Sequence, residues 1–103
     1  MNTPRVNSEL IGNFKGKTVR IVGRVLSSME DGTTILESSD GGQVKVKLTS
    51  TNGFQQDLYV EVIGKVESDM SIIESSTVEF GDAMDIDSYN KMVLLSLQFP
   101  DLF

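Results

Sequence analysis

Cysteine, histidine and tryptophan are absent from this 103-residue chain, and proline occurs only twice. Without cysteine or histidine the protein can have no disulfide, no cysteine/histidine zinc site, no catalytic thiol and no imidazole general base. The absence of these residues excludes most kinds of hydrolytic and metal-dependent active site. We therefore expect a protein with no catalytic residues, no cofactor and no metal.

Long apolar runs are also absent. No segment approaches the roughly 18 residues of a membrane span, and the N-terminal sequence MNTPRVNSEL lacks the apolar stretch of a signal peptide. We expect an intracellular protein that does not bind membranes. A chain of this length forms one domain and is too small for two independent cores.

Basic charge is scarce, since 9 Lys and Arg face 15 Asp and Glu, for a net charge of −6. Residues 1–47 hold seven basic and five acidic residues, and residues 48–103 hold two and ten. An acidic domain binds nucleic acid poorly by itself unless its few cations cluster. The first 24 residues do hold a cluster, which we interpret as a solvated surface or a partner contact in preference to a DNA track. It consists of Arg5, Lys15, Lys17, Arg20 and Arg24.

Alternation of apolar and polar residues predicts five strands. They lie in KTVRIVGRVLSS, TTILES, QVKVKL, LYVEVIGKVES and SIIESSTVEF. Glu30-Asp31-Gly32 and Asp40-Gly41-Gly42 predict hairpin turns between the first three strands. Short strands with glycines in their middle favour a small closed barrel over an open sheet with two exposed edges. The predicted fold class is all-β, a five-stranded OB-fold barrel.

The alternation also predicts which side chains point into the barrel. Gly23 sits where a bulge or a tight bend would fit, and Phe80, in the fifth strand, is predicted to lie in the core. The other inward residues are Val44, Val46, Leu48, Val60, Val62, Gly64 and Val66.

A short helix or turn is predicted before the barrel, in NSELIGNFKGK. Asn7 or Ser8 can cap it, and Gly16 ends it. The sequence TSTNGFQQD, between the third and fourth strands, predicts a short loop instead of the helix that often occupies this connection.

A C-terminal helix is predicted from Asp85 onward. Asp87 or Ser88 can cap it, and Pro100 prevents it from continuing much further. Its apolar side chains spread over roughly 260° of the helix, whereas packing on one core needs only about 100°. This helix therefore has surplus apolar surface. The predicted organisation is an N-terminal extension at residues 1–17, a barrel at 18–81 and the C-terminal helix at 85–100.

Two groups of residues that could suggest chemistry are better explained as turns. Gly41-Gly42-Gln43 is the tripeptide that release factors use for peptidyl hydrolysis, but here it follows Asp40 between two strands. Glu30, Asp31 and Glu37, together with Asp40, lack the regular spacing of a calcium site. We interpret these carboxylates as solvated turn residues.

Few aromatic residues are available to stack on bases, because only Tyr59 and Phe80 lie in the predicted strands. Tyr59 could stack on one base; the alternatives are that it covers the barrel edge or contacts a partner. We predict at most weak contacts with single-stranded DNA. The residues that could make them are Arg20, Arg24, Lys45, Lys47 and Tyr59.

The segments PRVN, VRIVGRV, VEVIGKV, STVEF and MDIDSYNKMVLLSLQFPDLF follow one another across nearly the whole chain. In this order they resemble the small subunit of replication protein A, the eukaryotic heterotrimer that binds single-stranded DNA. The resemblance implies an OB barrel whose C-terminal helix joins helices of the middle and large subunits in a three-helix bundle. It also implies a nuclear protein that supports DNA replication, repair and recombination, with DNA bound mainly by the partners and no small-molecule substrate.

The resemblance assigns the partner interface to the C-terminal helix. The residues concerned are Ile86, Tyr89, Met92, Val93, Leu95, Ser96, Leu97 and Phe99. Helical spacing divides most of the apolar ones into two stripes. The stripe predicted to cover the barrel is Ile86, Val93 and Leu97. The stripe predicted to meet the partners is Met92, Leu95 and Phe99.

Two other classes of protein stay open at this point. A telomere-type accessory OB-fold protein would share the barrel and the acidic composition but would pair with a single larger partner. A small enzyme would have to work through its carboxylates. The identity of the partners distinguishes the telomere-type protein from the replication protein A subunit. Loss of an activity on replacing the candidate carboxylates would identify an enzyme.

Overall fold

The computed structural model describes residues 3–29, 32–48 and 55–99, with only the backbone described for Leu97. Glu30 and Asp31 of the first predicted turn lie outside these residues, as do residues 49–54 of the predicted loop and Pro100 at the predicted helix end. Within the described ranges no helix is long and apolar enough to cross a membrane.

Five strands close into a ring, and a very short strand adds to its edge. The strands are β1 (Arg5–Val6), β2 (Thr18–Ser28), β3 (Thr33–Ser38), β4 (Gln43–Lys47), β5 (Tyr59–Val66) and β6 (Ile72–Gly81). The hydrogen-bonded order is β1-β2-β3-β4-β6-β5, and β5 also pairs with β2, which closes the ring. The prediction of a five-stranded OB-fold barrel is confirmed. Strand β1 escapes the alternation pattern because two residues are too few to show one.

Two helical segments flank the barrel. A 3-10 helix (Ile11–Phe14) precedes β2, and the α-helix α1 (Ile86–Gln98) follows β6. Before the 3-10 helix, Oδ1 of Asn7 accepts a hydrogen bond from the backbone N of Leu10 at 3.1 Å, so Asn7 caps this turn. Gly16 ends the segment with φ of +80°, a conformation that glycine adopts at no steric cost.

The barrel interior is filled mainly by β-branched side chains, which suit a pleated, buried surface. Strand β5 alternates strictly, with its valines inside and its other side chains at least partly exposed. The predicted inward residues that lie in or against the core are Val44, Val46, Leu48, Val60, Val62 and Val66.

Gly23 and Gly64 let neighbouring strands approach closely. A Cβ at Gly64 would lie 2.3 Å from the carbonyl oxygen of Ile73, and one at Gly23 would lie 2.7 Å from a backbone oxygen of β3. The bulge predicted at Gly23 occurs further along, where the register of β2 against β3 shifts between Val25 and Ser27. Position 23 needs glycine because the strands are close there.

The predicted core position of Phe80 is wrong, since 43% of this residue is exposed. Among the described strands, β6 pairs with β4 only through Ile72 and Ile73, and beyond them it pairs with β5 alone. The end of β6 therefore runs past the barrel interior. Val78 is exposed for a different reason: it is in register with Glu61, whose side chain lies on the outer surface of the barrel.

Met70 lies in the tight turn between β5 and β6 with φ of +67°, where a side chain costs about 1 kcal/mol or more. We expect Met70→Gly to raise the free energy of unfolding by about 0.5 to 1 kcal/mol, because the relief of this cost exceeds the unfolded-state entropy that glycine adds. Urea denaturation measures the difference. Met70→Ala is the control, since it also removes the thioether but keeps Cβ. Equal increases in the free energy of unfolding for both variants would show that the positive φ of Met70 is not the cause.

Candidate partner interface

Helix α1 begins after Asp85, whose carboxylate caps the first turn. Oδ1 of Asp85 accepts a hydrogen bond from the backbone N of Ser88 at 3.1 Å, and Oδ2 accepts one from Ser88 Oγ at 2.7 Å. These hydrogen bonds hold the pKa of Asp85 below its usual value. The predicted caps, Asp87 and Ser88, are therefore wrong, because the helix starts earlier, at Ile86.

One face of α1 is buried on the outer surface of the barrel. Val93 is fully buried and Tyr89 is 7% exposed, and both belong to one cluster with Val22 of β2. Ile86 and Met92 pack at the margin of this cluster. An apolar residue on the outside of β2 is thus covered by the helix and not by solvent.

This burial corrects part of the predicted interface. Tyr89 and Val93 are covered by the barrel and leave almost no surface for a partner. Ile86 and Val93 lie on the barrel side, as their stripe predicts, but Met92 is partly buried there too. The reason is that Tyr89, Met92 and Val93 are neighbours at helical spacings of three and four, and Val22 sits beneath them. The side chain of Leu97 lies outside the described residues.

The hydroxyl of Tyr89 reaches the outer surface of β5. It donates a hydrogen bond to Oε2 of Glu61 at 3.4 Å, and Glu61 is in register with Val22 across the β2–β5 pair. Burial raises the pKa of Tyr89 far above its ordinary value, and the charge of Glu61 raises it further, whereas Arg5 and Arg20 act to lower it. Tyr89 is therefore a neutral donor at all ordinary pH values, and both arginines lie close to the seam between α1 and the barrel.

Asn90 ties α1 to two distant segments. Its Oδ1 accepts a hydrogen bond from Nδ2 of Asn7 at 3.0 Å and one from Oγ of Ser39 at 2.9 Å. Asn7 lies just after β1, and Ser39 lies just after β3. Because Asn7 and Ser39 are themselves buried, these hydrogen bonds have little competition from water and fix the position of the helix.

Asp40 holds the N-terminal segment in place beside this junction. Its carboxylate accepts hydrogen bonds from Ser8 Oγ at 2.8 and 2.9 Å and from the backbone N of Glu9 at 3.0 Å. Partial burial acts to raise the pKa of Asp40, but hydrogen bonds from Ser8, Ser38, Glu9 and Gly42 outweigh it and hold the pKa below its usual value. Asp40 therefore does more than terminate a turn.

The side of α1 that faces away from the barrel carries three exposed apolar side chains among the polar Asp87, Lys91 and Gln98. Leu94, Leu95 and Phe99 are 46%, 45% and 51% exposed. Ser96 Oγ donates to the carbonyl oxygen of Val93 at 2.7 Å, so its polar atom is satisfied within the helix. We name Leu94, Leu95 and Phe99 the open face. It is the part of the surplus apolar arc that the barrel leaves uncovered.

The residues predicted to contact DNA do not form one continuous surface. Arg24 and Tyr59 lie opposite each other on β2 and β5, and Arg20 lies four residues earlier on β2. Lys45 and Lys47 are on β4, separated from β2 by β3. Outer faces of non-adjacent strands diverge around a barrel, so the structure does not bring this set together.

Two of these cations already have carboxylate partners. The guanidinium of Arg24 lies with Nη2 3.4 Å from Oε1 of Glu37 and with Nη1 3.1 Å from Oδ1 of Asp57. Nζ of Lys47 lies 3.9 Å from Oδ2 of Asp69. A cation that is already paired releases fewer counterions when it meets a phosphate. Arg24 and Lys47 are therefore poorer candidates for DNA contacts than the sequence pattern indicates.

The residues outside α1 that hold the helix in place are not among those predicted from the sequence to contact it. The one indication in the sequence is Val22, an apolar residue at an outward position of β2, which predicts that another element covers the strand there. The hydrogen bonds that join Asn7, Ser39 and Asn90 cannot be predicted in this way, because no sequence pattern relates three polar residues so far apart.

Comparison with known proteins gives matches along the whole chain. The model of the family described as replication factor A protein 3 matches residues 1–103. Replication factor A protein 3 of Schizosaccharomyces pombe is 34% identical over 101 residues, which covers 98% of this chain and 94% of the relative.

Solved structures are also similar. A chain in the structure of U. maydis replication protein A bound to ssDNA superposes with a TM-score of 0.91 at 34% identity, covering 100% of this chain and 98% of that one. The S. pombe Stn1-Ten1 complex contains a chain with a TM-score of 0.79 at 16% identity, covering 96% of this chain and 95% of that one. At that identity the second likeness concerns the fold alone.

Proposed function

Because this chain belongs to the replication factor A protein 3 family, we propose that it is the small subunit of a heterotrimeric replication protein A. In that complex it binds the middle and large subunits through helix α1, in a three-helix bundle. It has no catalytic role and works in the nucleus, where it supports DNA replication, repair and recombination. Its partners make most of the contacts with single-stranded DNA.

The observation that carries this proposal is the division of α1 into two faces. Tyr89 and Val93 hold one face on the barrel, and Asn90 locks it there, so the open face is presented in a fixed orientation. Exposed apolar side chains on a helix that cannot turn inward are typical of a surface that packs on other helices. The similar U. maydis chain belongs to a replication protein A bound to ssDNA, which supports the same role here.

Affinity purification of the tagged full chain from its own cells, followed by mass spectrometry, tests the proposal. We expect two larger chains containing OB-folds, in amounts equal to that of the tagged chain. A single larger partner would instead favour the telomere-type accessory protein. Fluorescence microscopy of the tagged chain tests the nuclear location.

A further inference from the structure

Most of the basic residues lie at one end of the barrel. These residues, which we name the basic end, are Arg5, Lys15, Lys17, Arg20 and Lys65, five of the nine in a chain whose net charge is −6. Arg5 is in register with Arg20 on β1 and β2, and Thr18 is in register with Lys65 on β2 and β5. The backbone of Gly16 and Lys17 hydrogen-bonds to Val66, which places the remaining two lysines beside Lys65.

The basic end has no ion pairs with the part of the chain that the structure describes, in contrast to Arg24 and Lys47. Arg5 and Arg20 are directly opposite on adjacent strands, an arrangement that is unfavourable for like charges. Their Nε atoms are buried and have no hydrogen-bond partner among the described residues. The carboxylates nearest in the strand register are Glu61, which accepts from Tyr89, Glu67, which follows Val66, and Glu74, which is in register with Gly64 beside Lys65. The basic end therefore keeps a net positive charge.

We propose that the basic end binds the phosphodiester backbone of single-stranded DNA without reading its bases. This inference rests on the proposed function, because a subunit of a complex that binds DNA is held beside that polyanion. Lys65 is in register with Thr18, which lies two residues before Arg20 on the same outward face of β2, and Arg5 is in register with Arg20, so these cations form a row instead of a single point. A row of unpaired cations fits a chain of phosphates.

The contact lacks a platform for stacking. Tyr59 lies at the end of β5 opposite to Lys65, and Phe14, the aromatic residue beside Lys15, packs against the barrel core. Binding at the basic end is therefore electrostatic, independent of sequence and sensitive to salt. Of the residues predicted from sequence to touch DNA, Arg20 alone belongs to this surface.

The test uses the full chain assembled with its partner subunits and a (dT)30 oligonucleotide. Lys15→Gln, Lys17→Gln and Lys65→Gln are combined, while Arg5 and Arg20 stay because they lie near the seam with α1. The control has the same charge change of −3 at exposed positions outside α1 and the basic end, through Gln43→Glu, Gln55→Glu and Gln56→Glu. Two quantities are measured: the dependence of the association constant on salt, and the ultraviolet crosslinking of the oligonucleotide to this chain.

We expect the lysine variant to reduce the slope of log association constant against log salt by about 2, since each neutralised phosphate contributes about 0.7 on single strands. Crosslinking to this chain should fall several-fold, and the control should change neither quantity. Unchanged values for the lysine variant, or equal losses in the control, would overturn the proposal. So would a lysine variant whose salt slope and crosslinking with (dT)30 are unchanged but which no longer binds poly-glutamate, because the basic end would then bind an acidic protein segment. Co-purification of the partners, scored separately, shows whether the proposed function itself has failed.

Discussion

Leu95→Asp should release the chain from its partner subunits while the barrel stays folded. Leu95 is 45% exposed on the open face, and under the proposed function a partner helix covers it. An unpaired carboxylate in such a seam costs about 3 kcal/mol or more, which weakens association about 100-fold. Co-purification with the partners measures the association, and circular dichroism of the variant measures the fold.

Val93→Asp is the matched control, because it places the same carboxylate two residues away on the barrel side. It should lower the thermal stability of the barrel, since Val93 is fully buried against Val22. If Leu95→Asp unfolds the sheet while Val93→Asp spares it and loses the partners, the two faces are exchanged. If both variants keep their full complement of partners, α1 is not the interface.

Gly64→Ala should destabilise the protein by about 3 kcal/mol, which corresponds to a fall of about 15 °C in Tm. The added Cβ would lie 2.3 Å from the carbonyl oxygen of Ile73 and 2.6 Å from Cγ2 of Ile72, so β5 and β6 would have to separate. Neither the backbone of β6 nor the packed Ile72 can move without loss of core contacts. Calorimetry of the variant measures the effect.

Gly12→Ala is the comparison for this substitution. Its Cβ would meet only Sδ of Met70, at 3.4 Å, the end of a flexible and half-exposed side chain. We expect a change within about 0.5 kcal/mol, as for an ordinary surface position. Similar losses for both alanines would show that the close approach of the strands at Gly64 is not the cause.

The strands of the barrel can be predicted from the sequence because the pattern that indicates each strand lies within that strand. Val60, Val62 and Val66 alternate with exposed residues, and this period of two is visible within a single strand. Phe80 follows the same local pattern but lies where β6 has left β4, and only the pairing of whole strands shows where the barrel interior ends. Alternation predicts a face; it does not predict how far the neighbouring strand extends.

The residues of the candidate interface can be predicted from the sequence only in part. The width of the apolar arc predicts that α1 has a second partner besides the barrel, but it does not predict where the first contact is centred. Val22 and Asn90 decide that centre, through a packing contact and a hydrogen bond with segments far away in the sequence. Long-range contacts of this kind have no period, so Met92 and Tyr89 are assigned to the partner side by the sequence and to the barrel side by the structure.

The hydrogen bond between Asn7 and Asn90 joins residues 83 positions apart, which bears on how the molecule is made. Ribosomes produce Asn7 and Val22 before α1, so the surface of β2 that the helix covers stays exposed until α1 emerges. A chain cut short before Ile86 retains the barrel strands but has neither the cover for Val22 nor the open face. Under the proposed function, partner binding through α1 selects chains that extend through the helix, and stalled products that end before it are left out of the assembly.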